Sequence, residues 1–378
     1  MTTPNSGPDT GLQLFSTVTD DGRLELSVKS VPIAAFAEDE VLIRVEATPI
    51  NPSDLGLLIG VADTSQLSAQ GNVTSSPIPE KLLGRVTARK GVAMPVGNEG
   101  AGTVVAAGAS EPAQALIGKV VSLAGGQMYA QFKKAKARDC MVLPAGVSAA
   151  EGASSFVNPL TTLGMIGTMR REGYEALVHT AAASNLGQML VKLCQAEGIA
   201  LVNIVRSAEQ ADLLRSIGAK HVVDSTAPDF VPQLTAAIKE TKAFLAFDAI
   251  GGGRMADRIL QAMEAAAVAL SPGFSVYGSS QKKQVYMYGM LDTAPTELTR
   301  GYGMAWGVGG WLLTPYLMSA GYEEAGRMRK YVVDNIRGIF ASKYTATISL
   351  SDALKPEHIA RYNKRATGEK FLINPSLG

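Results

Sequence analysis

Residues 177–206 read LVHTAAASNLGQMLVKLCQAEGIALVNIVR, and this stretch decides the fold of the chain. Residues 177–180 and 200–206 are apolar runs of strand length, and residues 187–196 between them carry apolar side chains at helical spacing. Strand, helix and strand in this order form a βαβ unit with parallel strands. Because the crossover in such a unit is almost always right-handed, the pattern predicts a doubly wound parallel sheet.

The segments after residue 206 continue the alternation of strands and helices. Ser207, with Gln210 three positions later, is a capping-box pattern that predicts a helix start, and Gly218 predicts the end of that helix. Further strands are predicted at residues 221–224, 243–250 and 275–278, with a helix at residues 255–269. We therefore predict an α/β fold.

The sequence before residue 151 has a different pattern. Residues 41–47, VLIRVEA, alternate between apolar and polar side chains, and residues 102–107 and 120–124 are further short strand-like runs. Residues 61–94 show no sustained periodicity, and we interpret them as an insertion and a candidate lid. The first part of the chain is thus predicted to be a β-rich domain.

The last part of the chain is predicted to leave the parallel sheet. Residues 323–340 are helical in pattern, and residues 346–350 and 370–373 are strand-like and are predicted to return to the first domain. The predicted organisation is therefore residues 1–155, 156–310 and 311–378, in which the third segment supplies the helix and the returning strands.

Composition and charge limit the possible partners. A chain of 378 residues exceeds what one core usually serves, which predicts two domains and a cleft. A net charge of +1 argues against nucleic acid as a partner, and the chain has no apolar run of about 18 residues that would span a membrane. Its two cysteines, Cys140 and Cys194, can build neither a disulfide framework nor a thiolate metal cluster, so we predict a reducing, cytoplasmic location.

The turn after the first strand of the βαβ unit is a degenerate phosphate-binding motif. It reads AAASNLG at residues 181–187, a GxGxxG frame in which only Gly187 is a glycine. Alanine and serine are small enough for a pyrophosphate to approach the backbone at the helix N-terminus, and Gly187 allows helix and strand to pack closely. A structural turn without a ligand is the alternative interpretation.

The end of the second strand indicates which dinucleotide would bind. An acidic residue at this position binds the adenosine 2′-hydroxyl, whereas arginine accommodates a 2′-phosphate. This chain has Arg206 followed by Ser207, which favours NADPH over NADH. A solvated surface charge is the alternative interpretation of Arg206.

The end of the fourth strand lies at the carboxyl edge of the sheet, where open α/β sheets bind their ligands. The segment DAIGG, residues 248–252, provides a turn in which the backbone can approach a cofactor, although an ordinary glycine loop is equally consistent. The predicted cofactor-binding residues are Thr162, Ala182, Ser184, Asn185, Leu186, Gly187, Arg206, Ser207, Asp248, Ile250, Gly251 and Gly278.

Several stretches together resemble the zinc-independent quinone oxidoreductases of the medium-chain dehydrogenase/reductase superfamily. The resemblance covers nearly the whole chain and implies a GroES-like β domain, in two sequence pieces, plus a Rossmann domain that binds NADPH. The stretches are VLIRVEATPINPSDLGLLIG, PVGNEGAGTVVAAG, GGQMYAQF, the βαβ unit of residues 175–224, and FDAIGGG.

This chain differs from the zinc-containing relatives at the metal positions that the resemblance implies. Two cysteines and a histidine bind catalytic zinc in alcohol dehydrogenases of the superfamily, and Asn51, Asn98 and Asn158 stand at or near those positions here. A neutral amide is a poor ligand for Zn²⁺, which favours thiolate, imidazole and carboxylate. We therefore predict no metal, and Asp54 and Glu99, which support the metal site in relatives, are predicted to be architectural.

Without a Lewis acid the substrate must accept hydride easily. Quinones, enones and other activated alkenes meet this condition because conjugation spreads the developing negative charge. Asn51, Ser53 and Asn158 are the candidate residues that would line the acceptor pocket and hydrogen-bond the acceptor oxygen. Hydrogen bonding within a buried loop is the alternative role for them. Tyr129 is a candidate proton donor or a packing residue.

Two alternative functions remain open at this point. A 2-enoyl thioester reductase would use the same fold and NADPH. That branch carries a tyrosine that acts as the acid soon after its NPSD-like motif, and LGLLIGVADTS contains no tyrosine. A non-catalytic NADPH-binding redox sensor is the second alternative. Residues 284–288, QVYMY, alternate like an exposed edge strand and predict a homodimer.

Overall fold

The computed structural model describes residues 8–271 and 273–377, and its contacts divide the chain into two compact units. The first unit combines Met1–Val157 with Val332–Gly378, and the second is Asn158–Tyr331. The second unit thus continues beyond residue 310, the end that we predicted for the parallel-sheet domain.

The first piece of the first unit is rich in short strands. Its strands are β1 (Thr10–Val18), β2 (Arg23–Pro32), β3 (Glu40–Pro49), β4 (Ser68–Gln70), β5 (Val73–Pro77), β6 (Ala93–Pro95), β7 (Glu99–Ala107), β8 (Val120–Ala124), β9 (Phe132–Lys136) and β10 (Met141–Val142). Its helices are α1 (Pro52–Leu58), α2 (Glu80–Leu83), α3 (Glu111–Gln114) and α4 (Ala149–Gly152).

The second unit alternates helices and strands. Its elements are α5 (Val157–Arg171), β11 (Ala176–His179), α6 (Asn185–Ala196), β12 (Ala200–Val205), α7 (Ala208–Ser216), β13 (His221–Asp224), α8 (Phe230–Thr241), β14 (Leu245–Asp248), β15 (Gly251–Gly253), α9 (Met255–Leu270), β16 (Lys283–Met287), β17 (Asp292–Thr296), β18 (Trp306–Gly310) and α10 (Leu313–Asp334). The chain then returns to the first unit with β19 (Ala346–Ile348), α11 (Pro356–Asn363) and β20 (Phe371–Ile373).

Six parallel strands form the sheet of the second unit, in the order β13-β12-β11-β14-β16-β18. The strand order reverses between β11 and β14, the position at which open α/β sheets bind ligands. Buried side chains of β12, β14, α8 and α9 form the core over this sheet. The prediction of an α/β fold with a doubly wound parallel sheet is confirmed.

Two of the predicted strands of this sheet need correction. Residues 275–278 form a turn and not a strand, and the fifth strand of the parallel sheet along the chain is β16. Residues 284–288 are therefore not an exposed edge, because β16 pairs with β14 on one side and β18 on the other. The edge strand on this side is β18, whose apolar and glycine sequence, WGVGG, gave no alternating signal.

Two sheets form the first unit. One has the order β4-β5-β2-β1-β6, and the other has the order β10-β8-β7-β3-β20-β19 with β9 pairing β3. The antiparallel pairing of β20 with β3 shows that the chain returns to the first unit, as its strand-like C-terminal pattern predicts.

The candidate lid, residues 61–94, is built into the first of these sheets. Within it β5 pairs with β2, and β6 begins the pairing with β1. The Arg89 guanidinium also donates hydrogen bonds to Ser16 Oγ at 3.1 Å and to the Leu57 carbonyl at 3.2 Å. Because these strands pair within the sheet, the interpretation of residues 61–94 as a lid is wrong. Strands this short do not show a sustained sequence periodicity.

Helix α10 begins ten residues before the predicted helix at residue 323 and is interrupted at Gly321, which has a φ of 84°. Among the described residues, no helix combines the length and the apolar character that crossing a membrane requires.

Trp311, on the approach to α10, is buried and donates its indole N–H to Thr168 Oγ1 at 3.0 Å, so this ring fills the core.

Candidate functional site

The turn between β11 and α6, residues 181–187, leads directly into a helix N-terminus. Ala181 takes a positive φ of 50°, which a residue with a Cβ rarely adopts, and Ser184 caps α6 by accepting the Gly187 N–H at 3.1 Å. A Cβ on Gly187 would overlap the Ala182 backbone. The glycine therefore allows α6 to start directly against the strand, with its first N–H groups directed out of the helix.

Arg206 lies at the end of β12 with its side chain exposed. Its backbone N–H donates to Gln210 Oε1 at 3.1 Å, while its guanidinium has no hydrogen-bond or ion-pair partner in the part of the chain that the structure describes. Ser207 caps α7 by accepting the Gln210 N–H at 3.3 Å. An unpaired guanidinium beside a helix start is suited to bind a phosphate monoester.

Asp248, at the end of β14, is used to build its own turn. One carboxylate oxygen accepts the Thr180 hydroxyl at 2.7 Å and the Ile250 N–H at 2.9 Å, and the other accepts the Gly251 N–H at 3.1 Å. The side chain is fully buried. Asp248 therefore shapes the backbone at the sheet edge, where Ile250 and Gly251 lie.

Gly278 does not lie at the carboxyl edge of the sheet. It precedes β16 and has a φ of 77°, and a Cβ there would meet Glu264 Oε1 and the Gly303 backbone. This packing requires a glycine at position 278. The sequence pattern alone does not reveal that requirement. The residues that follow β16 at the carboxyl edge are Tyr288 and Gly289.

A histidine and a tyrosine that we did not select pair at this edge. His179 Nε2 lies 2.7 Å from the Tyr288 hydroxyl, and the two rings stack with centroids 5.8 Å apart. Burial lowers the pKa of His179 to about 3, so the imidazole is neutral.

Thr162, on α5, is buried and donates its hydroxyl to the Pro159 carbonyl at 2.7 Å.

The first unit contains a second group of predicted residues, which we call the asparagine–carboxylate cluster: Asn51, Ser53, Asp54, Asn98 and Glu99. Asn51 is the N-terminal cap of α1, Asn98 directly precedes β7, and Glu99 is the first residue of β7. Asn51, Asp54 and Glu99 are each 3% exposed or less. The structure thus brings together residues that are separated by more than 40 positions in the sequence.

Glu99 is the centre of the cluster. Its Oε1 accepts the Asn51 amide Nδ2 at 2.7 Å, and its Oε2 accepts the N–H groups of Phe156 and Val157 at 2.9 and 2.8 Å. Burial raises the pKa of Glu99, while the Lys370 charge and these hydrogen bonds oppose the rise.

Asp54 ties the two asparagine segments together. It accepts the Asn51 N–H at 2.8 Å and the Asn98 N–H at 2.8 Å. Burial raises the pKa of Asp54 to about 7 against these hydrogen bonds. Asn98 Nδ2 donates to Ser53 Oγ at 3.2 Å, so the two side chains at the exposed side of the cluster also contact each other.

Tyr129 is fully buried beside this cluster. Its hydroxyl donates to the Pro49 carbonyl at 3.1 Å, and burial raises its pKa well above the usual value. These contacts favour the packing role of Tyr129 over that of a proton donor.

Lys370 was missed by the sequence reasoning. Its Nζ is buried without a hydrogen-bond partner, 5.6 Å from the centre of the Tyr344 ring, and burial lowers its pKa to about 8. The opposing influences on that pKa are the negative charges of Glu99 and Asp54. The segment TGEKFLI gives no periodic or motif signal that would mark this lysine.

Asn158, the third asparagine that we selected, is buried on α5 in the second unit. Over the described ranges, 8–271 and 273–377, no group of three or more histidine, cysteine, aspartate or glutamate side chains is arranged to hold a metal ion. In the first unit, Asn51 and Asn98 offer amide groups, and an amide donor set does not suit Zn²⁺.

Residues 186–299 match the family model described as "Zinc-binding dehydrogenase". The matched segment lies in the second unit and contains neither Asn51 nor Asn98. The match therefore concerns the parallel-sheet unit and not the residues at the metal positions.

A curated relative is the mitochondrial enoyl-[acyl-carrier-protein] reductase of Bos taurus. It is 26% identical over 208 residues, which cover 52% of this chain and 48% of the relative. The chain thus spans about half the length of the curated relatives it matches first.

Solved structures match over almost the whole chain. A candidate NADPH:quinone reductase from Mesorhizobium loti has a TM-score of 0.72 and 26% identity, and covers 98% of this chain and 100% of its own. The Escherichia coli quinone oxidoreductase complexed with NADPH has a TM-score of 0.69 and 20% identity, and covers 97% and 100%. The likeness confirms the predicted combination of a GroES-like domain with a Rossmann domain.

Proposed function

We propose that this chain is a quinone oxidoreductase-like member of the medium-chain dehydrogenase/reductase superfamily and that it acts as an NADPH-dependent, zinc-independent oxidoreductase. Its acceptor would be a quinone, an enone or a similar activated small molecule. The 26% identity to a candidate NADPH:quinone reductase over the full length supports this class of acceptor.

One observation carries the proposal. The amides of Asn51 and Asn98 stand where zinc relatives place metal ligands, and their Nδ2 groups donate to Glu99 and Ser53. A site with this donor set supplies no Lewis acid to polarise a simple carbonyl. The acceptor must therefore stabilise the delivered electrons by its own conjugation.

NADPH would supply the hydride when bound. The residues of the chain have the tasks of binding and orientation, which lower the barrier mainly through proximity. The α6 N-terminus, with Ala182, Ser184, Asn185, Leu186 and Gly187, suits the pyrophosphate. Arg206 and Ser207 suit the 2′-phosphate.

Further residues are assigned to the same site as proposals. Thr162, Ile250 and Gly251 are proposed to adjoin the cofactor, and Asp248 is proposed to act by holding the turn that carries the last two. Asn51, Ser53 and Asn158 are proposed to line the acceptor pocket.

A substrate panel followed by NADPH absorbance tests the proposal. Purified protein is expected to oxidise NADPH with at least one quinone or enone and to oxidise NADH much more slowly. Turnover with enoyl thioesters alone would replace the proposed acceptor. NADPH binding without oxidation by any member of the panel would indicate the non-catalytic redox sensor instead.

A 2-enoyl thioester reductase is the second candidate, because the first curated relatives are mitochondrial enoyl-[acyl-carrier-protein] reductases. The absence of a tyrosine between Leu55 and Ser65 counts against it, since we expect such a residue to be the proton donor of that branch. The same substrate panel distinguishes the two candidates by their acceptors.

We also propose a homodimer that forms through β18, the edge strand of the parallel sheet. Its outer backbone groups face no strand in the described part of the chain, and an open edge of this kind pairs readily with another chain. A lysine is an effective block of such pairing. Gly310 lies at the end of β18 with open space around its Cα, and Gly326 is an equally open glycine on α10.

Light scattering of the wild type and of two glycine-to-lysine variants tests the dimer. The wild type is expected to be a dimer at micromolar concentration. We expect Gly310→Lys to weaken the dimer at least about tenfold, while Gly326→Lys leaves it unchanged. A monomeric wild type rules the dimer out.

A cytoplasmic location is proposed on the state of the cysteines. Cys140 and Cys194 are both free thiols, and burial raises the pKa of each to about 12, so both stay protonated.

A further inference from the structure

His179 and Tyr288 span the place at which the strand order of the parallel sheet reverses. His179 ends β11 and Tyr288 directly follows β16, while β14 lies between these two strands. The Tyr288 N–H donates to the Asp248 carbonyl at the end of β14 at 2.9 Å. The Tyr288 hydroxyl lies 2.7 Å from Nε2 of the His179 imidazole, and the two rings stack. Because open α/β sheets bind ligands where the strand order reverses, this pair lies at the expected ligand position.

The two members of the pair differ in exposure and are both neutral. His179 is fully buried, whereas Tyr288 is half-buried and keeps accessible surface at the carboxyl edge of the sheet. Burial lowers the pKa of His179 to about 3 and raises the pKa of the Tyr288 hydroxyl. At neutral pH the imidazole therefore carries one N–H and the phenol keeps its O–H. Either group has the chemistry to donate the hydrogen bond between them.

The other ring nitrogen of His179 decides which group donates. Nδ1 is buried and has no hydrogen-bond partner in the described part of the chain. If the Tyr288 hydroxyl donated to Nε2, the imidazole proton would lie on Nδ1 as a buried N–H without an acceptor, which is rare in folded proteins. With the proton on Nε2, only a lone pair is left unpaired at Nδ1. The second arrangement costs less free energy, so Nε2 is the donor and the tyrosine oxygen accepts.

The neighbouring strand agrees with this assignment. Asn203 is the register neighbour of His179 in β12, and its Oδ1 is also buried without a partner. Its Nδ2 donates to the carbonyls of Leu201 and His221 at 3.3 and 3.1 Å, which fixes the orientation of the amide. A proton on His179 Nδ1 would find an acceptor in Asn203 Oδ1, yet the two atoms are not bonded to each other. Two acceptor atoms are expected to stay apart in this way.

We propose that His179 is a positioning residue that donates its Nε2–H to the Tyr288 oxygen and thereby leaves the Tyr288 O–H as a hydrogen-bond donor for an oxygen atom of the bound dinucleotide. Within residues 8–271 and 273–377, the Tyr288 hydroxyl has no partner besides His179, so its proton is not used by the protein itself. A nicotinamide dinucleotide offers acceptor oxygens in its pyrophosphate, ribose and carboxamide groups. The identity of this ligand rests on the proposed function, whereas the tautomer of His179 does not.

The tautomer of His179 can be observed directly, because the chain contains only three histidines. Protein labelled with nitrogen-15 in the histidine rings is examined by NMR at pH 7, where long-range couplings to the ring protons distinguish the protonated nitrogen from the bare one. We expect the proton of His179 on Nε2. The variant His179→Gln identifies the signals of His179 by their loss. If it does not fold, His221→Gln and His358→Gln identify them by elimination.

A fluorescence titration with NADPH tests the donor role of Tyr288. Tyr288→Phe is expected to weaken binding about three- to tenfold, as for the loss of one neutral hydrogen bond. Tyr286→Phe is the matched control, since it removes a hydroxyl of β16 that donates to Glu172, and it should bind NADPH like the wild type.

Substitutions of His179 separate a positioning role from a merely structural one. His179→Gln keeps a side-chain N–H donor, so its NADPH affinity should stay closer to that of the wild type than the affinity of His179→Leu. The double variant His179→Leu/Tyr288→Phe should bind no more weakly than Tyr288→Phe, because His179 acts through the tyrosine.

Two results overturn the proposal. One is a wild type with the proton of His179 on Nδ1, and the other is a folded Tyr288→Phe variant that binds NADPH as tightly as Tyr286→Phe. Circular dichroism verifies that each variant is folded, and the tautomer of the wild type decides the proposal if Tyr288→Phe is not. The proposed function fails by a different result, the lack of NADPH oxidation by the wild type, and neither the NMR measurement nor the titration depends on that oxidation.

Discussion

Two regions of the molecule are built in opposite ways. One is the turn of residues 181–187 together with Arg206, and the other is the asparagine–carboxylate cluster of the first unit. The turn consists of neighbours in the sequence, and its charged residue, Arg206, is exposed and unpaired. The cluster joins the loop before α1, the start of β7 and residues 156–157, and its charges are buried. Local backbone geometry therefore makes the first site, whereas long-range packing makes the second.

This difference has an energetic consequence. An exposed, unpaired arginine contributes little to folding and is free to bind a phosphate. A buried carboxylate that accepts three hydrogen bonds cannot be removed without leaving its partners unsatisfied. Substitutions in the turn should therefore reveal themselves mainly in cofactor binding, and substitutions in the cluster should reveal themselves mainly in stability.

The largest effect is expected for Glu99→Leu, which would break the cluster. Three donors lose their acceptor and the buried Lys370 loses the opposite charge of Glu99, so the free energy of unfolding is expected to fall by about 3–5 kcal/mol. Urea denaturation measures the change. Glu38→Leu, at an exposed loop glutamate of the same unit, is the control and should stay within about 0.5 kcal/mol.

The double variant Glu99→Leu/Lys370→Met sharpens this result. Removing the lysine charge as well should recover part of the lost stability, because no uncompensated charge then remains buried. A Glu99→Leu variant as stable as Glu38→Leu would contradict the structural importance of the carboxylate.

Gly187→Ala tests the turn itself. The added Cβ meets the Ala182 backbone, which has little room to move, so we expect a loss of about 1–3 kcal/mol, as for other overpacked sites. Thermal unfolding and fluorescence titration with NADPH measure the loss of stability and of binding. Gly326→Ala, in open space on α10, should instead stabilise the protein by up to about 1 kcal/mol. Unchanged stability and binding in Gly187→Ala would show that the turn tolerates a side chain.

The smallest effect on stability is expected for Arg206→Ala, which changes binding instead. NADPH affinity should fall about ten- to a hundredfold through the loss of a charge-assisted contact, while NADH affinity stays the same. Isothermal titration calorimetry with both cofactors measures this selectivity. Arg215→Ala on α7 removes an exposed arginine that pairs with Asp212 and should affect neither cofactor. Equal losses for NADPH and NADH would contradict the role of Arg206 as the 2′-phosphate ligand.

Sequence patterns predicted the parallel sheet well where each strand and helix carries its own periodic pattern and caps. The first three strands and the two helices between them lie within a few residues of their predicted bounds, because βαβ units depend on periodicity and on caps such as Ser207. The pattern failed at residues 275–278 and 284–288, where the position of a strand within the sheet depends on its neighbours and not on its own alternation.

The sequence by itself determined the α/β fold, the turn of residues 181–187, Arg206 at the strand end, and the asparagines at the metal positions of relatives. These features depend on the order and type of residues along short stretches. Only the tertiary structure decided that strands within residues 61–94 belong to a sheet, that β18 is the edge strand, and that Lys370 is buried where the charge of Glu99 acts on it. Burial and charge proximity arise when distant segments pack together, and no local pattern encodes them.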